Sequence, residues 1–209
     1  MSYVMTAGEF VTQAKAIASN YNTVYDLGAY GRYVGDNTFA FDCSGLVKSI
    51  GWGFDGSFDN LGGGTMNVNV PNTTAGGLIS SCHHVSTDFS EVLPGELLYL
   101  YRNPDATGEH CAIYVGNGLA VEATVNWGLS GVIYSSVYGL NPTEYLTRMR
   151  YDWQSHGRLP WIDYSGLYLD GDELVYLDEF GNRPDLSGVK TLTCTFDLIT
   201  GVMQNVLGF

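Results

Sequence analysis

Apolar residues recur along this chain with two different periods. In the first fifty residues the spacing is helical. Phe10, Ala14, Ile17 and Ala18 fall on one face, which predicts a helix over residues 7–20. Thr6-Ala7-Gly8-Glu9 has the spacing of a capping box at its start. A Gly/Tyr-rich stretch, residues 24–31, reads as a loop. Leu46, Val47 and Ile50 then form the buried stripe of a short second helix with Cys43 at its N-terminal end. From Pro94 onward the period falls to two. Strands are predicted at 96–101, 110–115 and 119–124. The last two are joined by the turn Gly116-Asn117-Gly118 into a hairpin. Further strands are expected at 131–137 and 148–153. Helices first and an antiparallel sheet second is an α+β layout.

Two stretches stand outside that pattern. Residues 51–81 are rich in Gly, Asn, Asp and Thr, with Gly62-Gly63-Gly64 at the centre. A stretch of that length is too long for an idle connection and reads as a surface insertion able to wall a cleft. After Tyr164 the chain predicts a hairpin over 167–177 and a strand over 191–198. Seven acids (Asp170, Asp172, Glu173, Asp178, Glu179, Asp185, Asp197) stand there against Arg183 and Lys190. The expected organisation is a main domain over 1–164 and a small acidic β extension over 165–209.

Composition narrows the function. The 209 residues are 45% hydrophobic and 13% aromatic, enough for a sizeable core and against disorder throughout. Nine Lys and Arg against 22 Asp and Glu give a net charge of -13. A chain so acidic can hardly build the basic face that nucleic acid or an anionic membrane demands. No apolar run approaches the roughly 20 residues of a spanning helix.

Candidate chemistry centres on cysteine. Four are present (Cys43, Cys82, Cys111, Cys194), with no CxxC pair to suggest a zinc ribbon. They read as free thiols. Cys43 opens a helix, where the unpaired amides lower a thiol pKa. His110 opens a strand, and Glu122 lies 12 residues on, across the tight turn. Near-opposite hairpin positions share a face, so Glu122 can meet the His110 imidazole. A thiol, a base and a group that orients the base are what nucleophilic catalysis requires. Cys111 faces away from His110 and reads as core. Cys82, His83 and His84 match no zinc signature, so neither a metal nor an organic cofactor is expected. Trp127, Trp153 and Trp161 read as core or rim aromatics rather than platforms for sugar rings.

Phe41-Asp42-Cys43-Ser44-Gly45-Leu46-Val47, followed by Pro94-Gly95-Glu96-Leu97-Leu98-Tyr99 and by His110-Cys111-Ala112-Ile113-Tyr114-Val115-Gly116-Asn117-Gly118, resembles the NlpC/P60 family of papain-like cysteine peptidases. The likeness covers roughly residues 21–124. It implies a papain-like fold, with N-terminal helices packed on a central antiparallel sheet. It implies Cys43 as nucleophile, His110 as general base and Glu122 at the family's third position, often His, Asn or Gln. Asn126 is the next polar side chain of suitable type. Val24-Tyr25-Asp26-Leu27-Gly28-Ala29 partly matches the family's Pro-Tyr-x-x-Gly-Gly loop, which places Tyr25 at the border of the site. Asp42 and Ser44, flanking the nucleophile, are expected to contact substrate.

The substrate class implied is bacterial peptidoglycan, cut in its stem peptide or at the sugar–peptide amide. Two other classes stay open: a transamidase or acyltransferase, and a non-catalytic virion or wall-binding protein. The N-terminal stretch has no basic start and no long apolar run, so no secretory signal is expected. Release to the wall by phage lysis, or carriage on a virion, is the expectation that follows.

Overall fold

Thr6 closes the first helix as its spacing predicts. In a computed structural model of the chain, its Oγ1 accepts the Glu9 amide at 3.2 Å. The Glu9 carboxylate accepts the Thr6 amide in return at 2.8 Å. The structure describes residues 3–57, 67–102, 108–170, 173–177, 192–196 and 203–208, with only the strand backbone from residue 167 on. Cys194 and the 191–198 side chains therefore lie outside what is described.

The chain opens with β1 (Met5–Thr6) and α1 (Ala7–Asn20), then β2 (Asn22–Tyr25), β3 (Tyr30–Gly35) and β4 (Thr38–Phe41). These last three form a sheet of order β2-β4-β3. The predicted loop at 24–31 is thus the turn between two strands rather than a loop throughout. Its alternation was hidden by Gly28, Gly31 and the aromatic run. Helices α2 (Cys43–Gly51) and α3 (Ala75–Ser81) follow. The second lies inside the stretch read as insertion. Thr74 caps it, accepting the Gly77 amide at 3.2 Å. Gly76 and Gly77 are poor helix formers and obscured it.

The main sheet comprises β5 (His83–Ser86), β6 (Leu97–Tyr101), β7 (Glu109–Gly116), β8 (Leu119–Thr124), β9 (Gly131–Val137), β10 (Met149–Arg150) and β11 (Ser155–Arg158). Its order is β10-β9-β8-β7-β6-β11-β5. All neighbours run antiparallel except β10 and β9. The expected strand at 148–153 shortens to two residues after a 3-10 turn, and β11 was not foreseen. Its Ser-His-Gly-Arg sequence carries no apolar alternation for the period to detect. The short β12 (Ile162–Asp163) pairs in parallel with β1.

Alternation along β7 divides the core. Cys111, Ile113 and Val115 point into the larger cluster, with Phe10, Ile17, Leu46, Val47 and Trp161 of the helix side. Ala112 and Tyr114 point into a smaller one with Leu98, Ala120 and Val137. A buried ion cluster ties β6 to β11. Glu96, 1% exposed, binds the buried His156 ring and accepts from Arg158 Nε at 2.9 Å. The Pro94-Gly95-Glu96 run is therefore a structural corner as well as a strand start.

Beyond residue 165, β13 (Gly166–Asp170) and β14 (Glu173–Leu177) form the predicted hairpin. β15 (Leu192–Phe196) and β16 (Met203–Gly208) complete a four-stranded antiparallel sheet of order β14-β13-β16-β15. The final strand was not predicted.

Candidate active site

The first turn of α2 is held from below by a single carboxylate. Asp42 is the N-cap, and its Oδ1 accepts the Gly45 amide and the Ser44 hydroxyl, the latter at 3.1 Å. Its Oδ2 accepts the Gly28 amide at 2.7 Å. Its own amide donates to Ala29 O at 2.7 Å. Both carboxylate oxygens are thus engaged within the chain, and Asp42 and Ser44 are buried. They fix the helix start and the 26–29 turn. A methyl group at position 45 would lie 1.9 Å from Ala29 O, so this close approach demands glycine.

Cys43 occupies the first position of α2 with 8% of its surface exposed. Its thiol is held down to about pKa 5. The main cause is a hydrogen bond from the Cys111 thiol. Burial opposes it, and the His110 hydrogen bond and charge add to it. Tyr25, at the end of β2, sits close enough to be pushed up to about 12, by burial first and then by the charges of Cys43 and Asp42. Lys48 lies on the same helix, and its ammonium bonds Asn72 Oδ1 and Thr73 O, each at 3.0 Å. It fastens residues 72–73, just before α3, to the nucleophile's helix. On the other side, Glu109 accepts the Gly76 amide of α3 at 2.9 Å, next to His110 in sequence.

His110 lies on β7 with its side chain 15% exposed, and its Nε2 is 2.7 Å from Glu122 Oε2. The β7–β8 register pairs Ile113 with Val121 and Tyr114 with Ala120. Extended, it sets Glu122 across from Ala112, one diagonal step from His110 on the same face. Since Nε2 is engaged, Nδ1 is the nitrogen left for Cys43. The imidazole is raised above its ordinary value: burial lowers it, and the hydrogen bonds it donates to Cys43 and Glu122 outweigh that.

Glu122 is fully buried. Arg150 of β10, itself 4% exposed, donates its Nε to both carboxylate oxygens at 2.9 Å and its Nη2 to Oε2. Burial pushes the Glu122 carboxyl up, but the hydrogen bonds from His110 and Arg150 win and hold it at about 2. Arg150 Nη2 also lies 3.2 Å from His110 Nε2, and with Arg150 Nε these make three nitrogens converging on Glu122 Oε2. Trp153 stacks on the His110 ring, with centroids 5.7 Å apart and planes 15° from parallel. The Arg150 guanidinium sits 5.4 Å from Trp153 and 5.3 Å from Trp127.

The structure therefore brings together Cys43, His110, Glu122 and Tyr25, and adds Arg150, Cys111 and Trp153, which the sequence reading did not place there. Arg150 was missed because it sits on a two-residue strand with no motif. Cys111 carried the signal of adjacency to His110 but was read as core alone. Asn126 donates to Thr124 Oγ1 at 3.0 Å rather than to His110. Trp161 is buried against Phe10, and Trp127 is 39% exposed. His83 and His84 are exposed, and among the described residues no group of three or more His, Cys, Asp or Glu is placed to hold a metal ion.

Chemically, a thiolate beside an imidazolium, with the imidazole held by a buried carboxylate, is suited to attack on a carbonyl and to proton return. The model of the NlpC/P60 family matches residues 28–151. Similar solved structures include NlpC1 of Trichomonas vaginalis, at 19% identity and TM-score 0.46, covering 73% of this chain and 44% of that one. The P60 domain of an antigen of M. avium subspecies paratuberculosis shares 21% identity over 76% of this chain and 96% of that one, with TM-score 0.39. The peptidoglycan hydrolase RipB of Mycobacterium tuberculosis shares 22% identity over 76% of this chain and 66% of that one, with TM-score 0.40. The chain spans less than half the length of the Trichomonas protein. No curated protein sequence matches it.

Proposed function

The chain belongs to the NlpC/P60 family, and from that premise we propose that it is a cysteine hydrolase that cuts an amide bond of the peptidoglycan stem peptide. The observation that carries the proposal is the geometry: a buried cysteine at the start of a helix, and a histidine whose Nε2 is 2.7 Å from a fully buried carboxylate, with that imidazole among the groups that lower the thiol pKa.

In this reading His110 takes the Cys43 proton, and the thiolate attacks the amide carbonyl. The oxyanion forms beside the Cys43 amide, which as a first-turn helix N–H has no intrahelical acceptor. The imidazolium then protonates the leaving amine. Water, activated by the same imidazole, releases the acid from the thioester. Glu122 holds the ring with Nδ1 toward sulfur, and Arg150 keeps Glu122 ionised throughout. The residues require no metal or organic cofactor for these steps.

Digestion of purified peptidoglycan with the wild-type protein, followed by mass spectrometry of the new termini, tests this. One new amine and one new carboxylate per cut are expected, with none from Cys43→Ala. Amine adducts in place of the acid would support transamidation, and no cleavage by a folded wild-type protein would support a binding role. The finer reading proposed with it is a lysin of phage type, tested by lysis of intact cells when the protein is added from outside.

A further inference from the structure

Arg150 holds Glu122, and it also lines a cleft of about 260 Å³ with Arg102, Asn126, Trp127, Tyr151 and Asp152. Through Arg150 the cleft shares a wall with the group that orients His110. Two aromatic rings border it. Trp127 is 39% exposed, although the Arg150 guanidinium covers its ring at 5.3 Å. Its backbone is left-handed, with φ at 56°. That conformation is rare for a bulky residue, and such residues gather at active sites and where ligands are clamped. Tyr151 is 70% exposed and packs on the exposed Tyr138, with ring centroids 4.8 Å apart. We propose that this cleft binds an uncharged sugar ring, the amino sugar that carries the stem peptide. The proposal deepens the proposed function and rests on it for the substrate.

The lining decides the chemistry of the ligand. Each of its charges is already matched. Arg150 is paired with Glu122, and Arg102 Nη2 lies 2.9 Å from Asp152 Oδ2. The cleft therefore offers no surplus charge to a carboxylate or an ammonium group. A wholly apolar ligand would strip water from the Arg102–Asp152 pair and replace it with nothing. That pair is nearly half exposed and presents donors and acceptors together. Asn126 gives an N–H to Thr124 Oγ1 at 3.0 Å, and its carbonyl oxygen adds an acceptor. Aromatic rings beside a balanced set of donors and acceptors suit a ring with hydroxyls on its rim and C–H bonds on its faces. The volume is a little under the roughly 300 Å³ at which small-molecule sites begin, room for one such ring. In peptidoglycan that ring adjoins the stem peptide, and Arg150 joins the cleft to His110 through Glu122.

The test is a titration of isotopically labelled Cys43→Ala protein, used so that no hydrolysis intervenes, with tri-N-acetylchitotriose, a neutral oligomer of an N-acetylated amino sugar. Nuclear magnetic resonance reads each site separately. The Trp127 indole N–H and the Asn126 side-chain amide are expected to shift saturably. The indoles of Trp52, bonded to Val70 O, and of the buried Trp161 are expected to stay in place, which also reports that the fold is intact. Tyr151→Ala, a change at an exposed position, is expected to weaken binding roughly three- to tenfold, the worth of one aromatic contact. Tyr151→Phe keeps the ring and is expected to restore it. No saturable shift at Trp127, or equal affinity in Tyr151→Ala, would overturn the proposal. So would a free stem peptide that moves the same resonances while the sugar does not. Wall digestion by the wild-type protein separates the two claims. If it leaves the wall uncut, the functional reading fails, while the titration still decides what the cleft binds.

Discussion

The Glu122 carboxylate accepts Arg150 Nε on both of its oxygens, each at 2.9 Å. The group that orients His110 is thus itself locked by a buried cation, and every N–H that reaches Glu122 from these two side chains is a donor. An amide cannot substitute there without turning its own NH2 against Arg150 or His110.

Removing Glu122 is therefore expected to cost stability as well as activity. Glu122→Ala leaves the buried Arg150 charge with only the longer contact to Asp152, 3.8 Å from Nη1 to Oδ1, a loss on the order of 3 kcal/mol. Chemical denaturation checks it, and adding Arg150→Met to the Glu122 variant is expected to recover part of the loss. The pH dependence has a definite sign. Because the folded carboxyl is held at about 2, below its ordinary 4.5, its stabilisation is fully present above about pH 4.5 and is lost as pH falls through about 2. The stability gap between wild type and Glu122→Ala is expected to narrow across that window. A gap that is constant with pH would contradict it.

Turnover is expected to be bell-shaped in pH. It rises as Cys43 ionises at about pH 5. It falls where His110 loses its proton, above the ordinary histidine value of 6.5. Initial rates of peptidoglycan solubilisation across pH give the profile. A plateau that continues into the alkaline range would show that the imidazolium is not needed.

Gly45→Ala is expected to dislodge the 26–29 turn, since the added methyl would sit 1.9 Å from Ala29 O. The Asp42 amide donates to that same Ala29 oxygen, at 2.7 Å. The result expected is a loss of at least about 2 kcal/mol, with a less reactive Cys43 even in the protein that remains folded. Calorimetry and alkylation rates measure the two effects. An unperturbed Gly45→Ala would mean that the turn is not clamped to α2.

Much of this arrangement was legible in the sequence where local chemistry and period agree. The Thr6/Glu9 box, the Cys43 helix and the β7–β8 hairpin each carry their own signal within a dozen residues. What was lost depends on contacts between distant segments. Arg150 reaches Glu122 across 28 positions, from a strand of two residues. β11 is held by the buried Glu96 and its own His156 and Arg158 rather than by alternating apolar residues. Asp42 was expected to meet substrate, since it flanks the nucleophile, yet its oxygens close the helix start and the preceding turn. Strand alternation does separate Cys111 from Ala112 and Tyr114. Sequence reasoning could not see that the Cys43 helix would bring its sulfur within reach of both Cys111 and His110.

The central claim is that one thiol, Cys43, carries the chemistry. Brief treatment with iodoacetamide at about pH 6, with EDTA present, followed by intact-mass measurement and peptide mapping, tests it most directly. Cys82 is raised by burial and Cys111 is fully buried and raised, so in a Cys194→Ser background, which removes the cysteine outside the described residues, a single adduct on Cys43 is predicted. Peptidoglycan hydrolysis should fall in proportion to that adduct and be indifferent to the chelator. Hydrolysis that persists with Cys43 fully alkylated, or that is lost to EDTA and restored by zinc, would contradict the account.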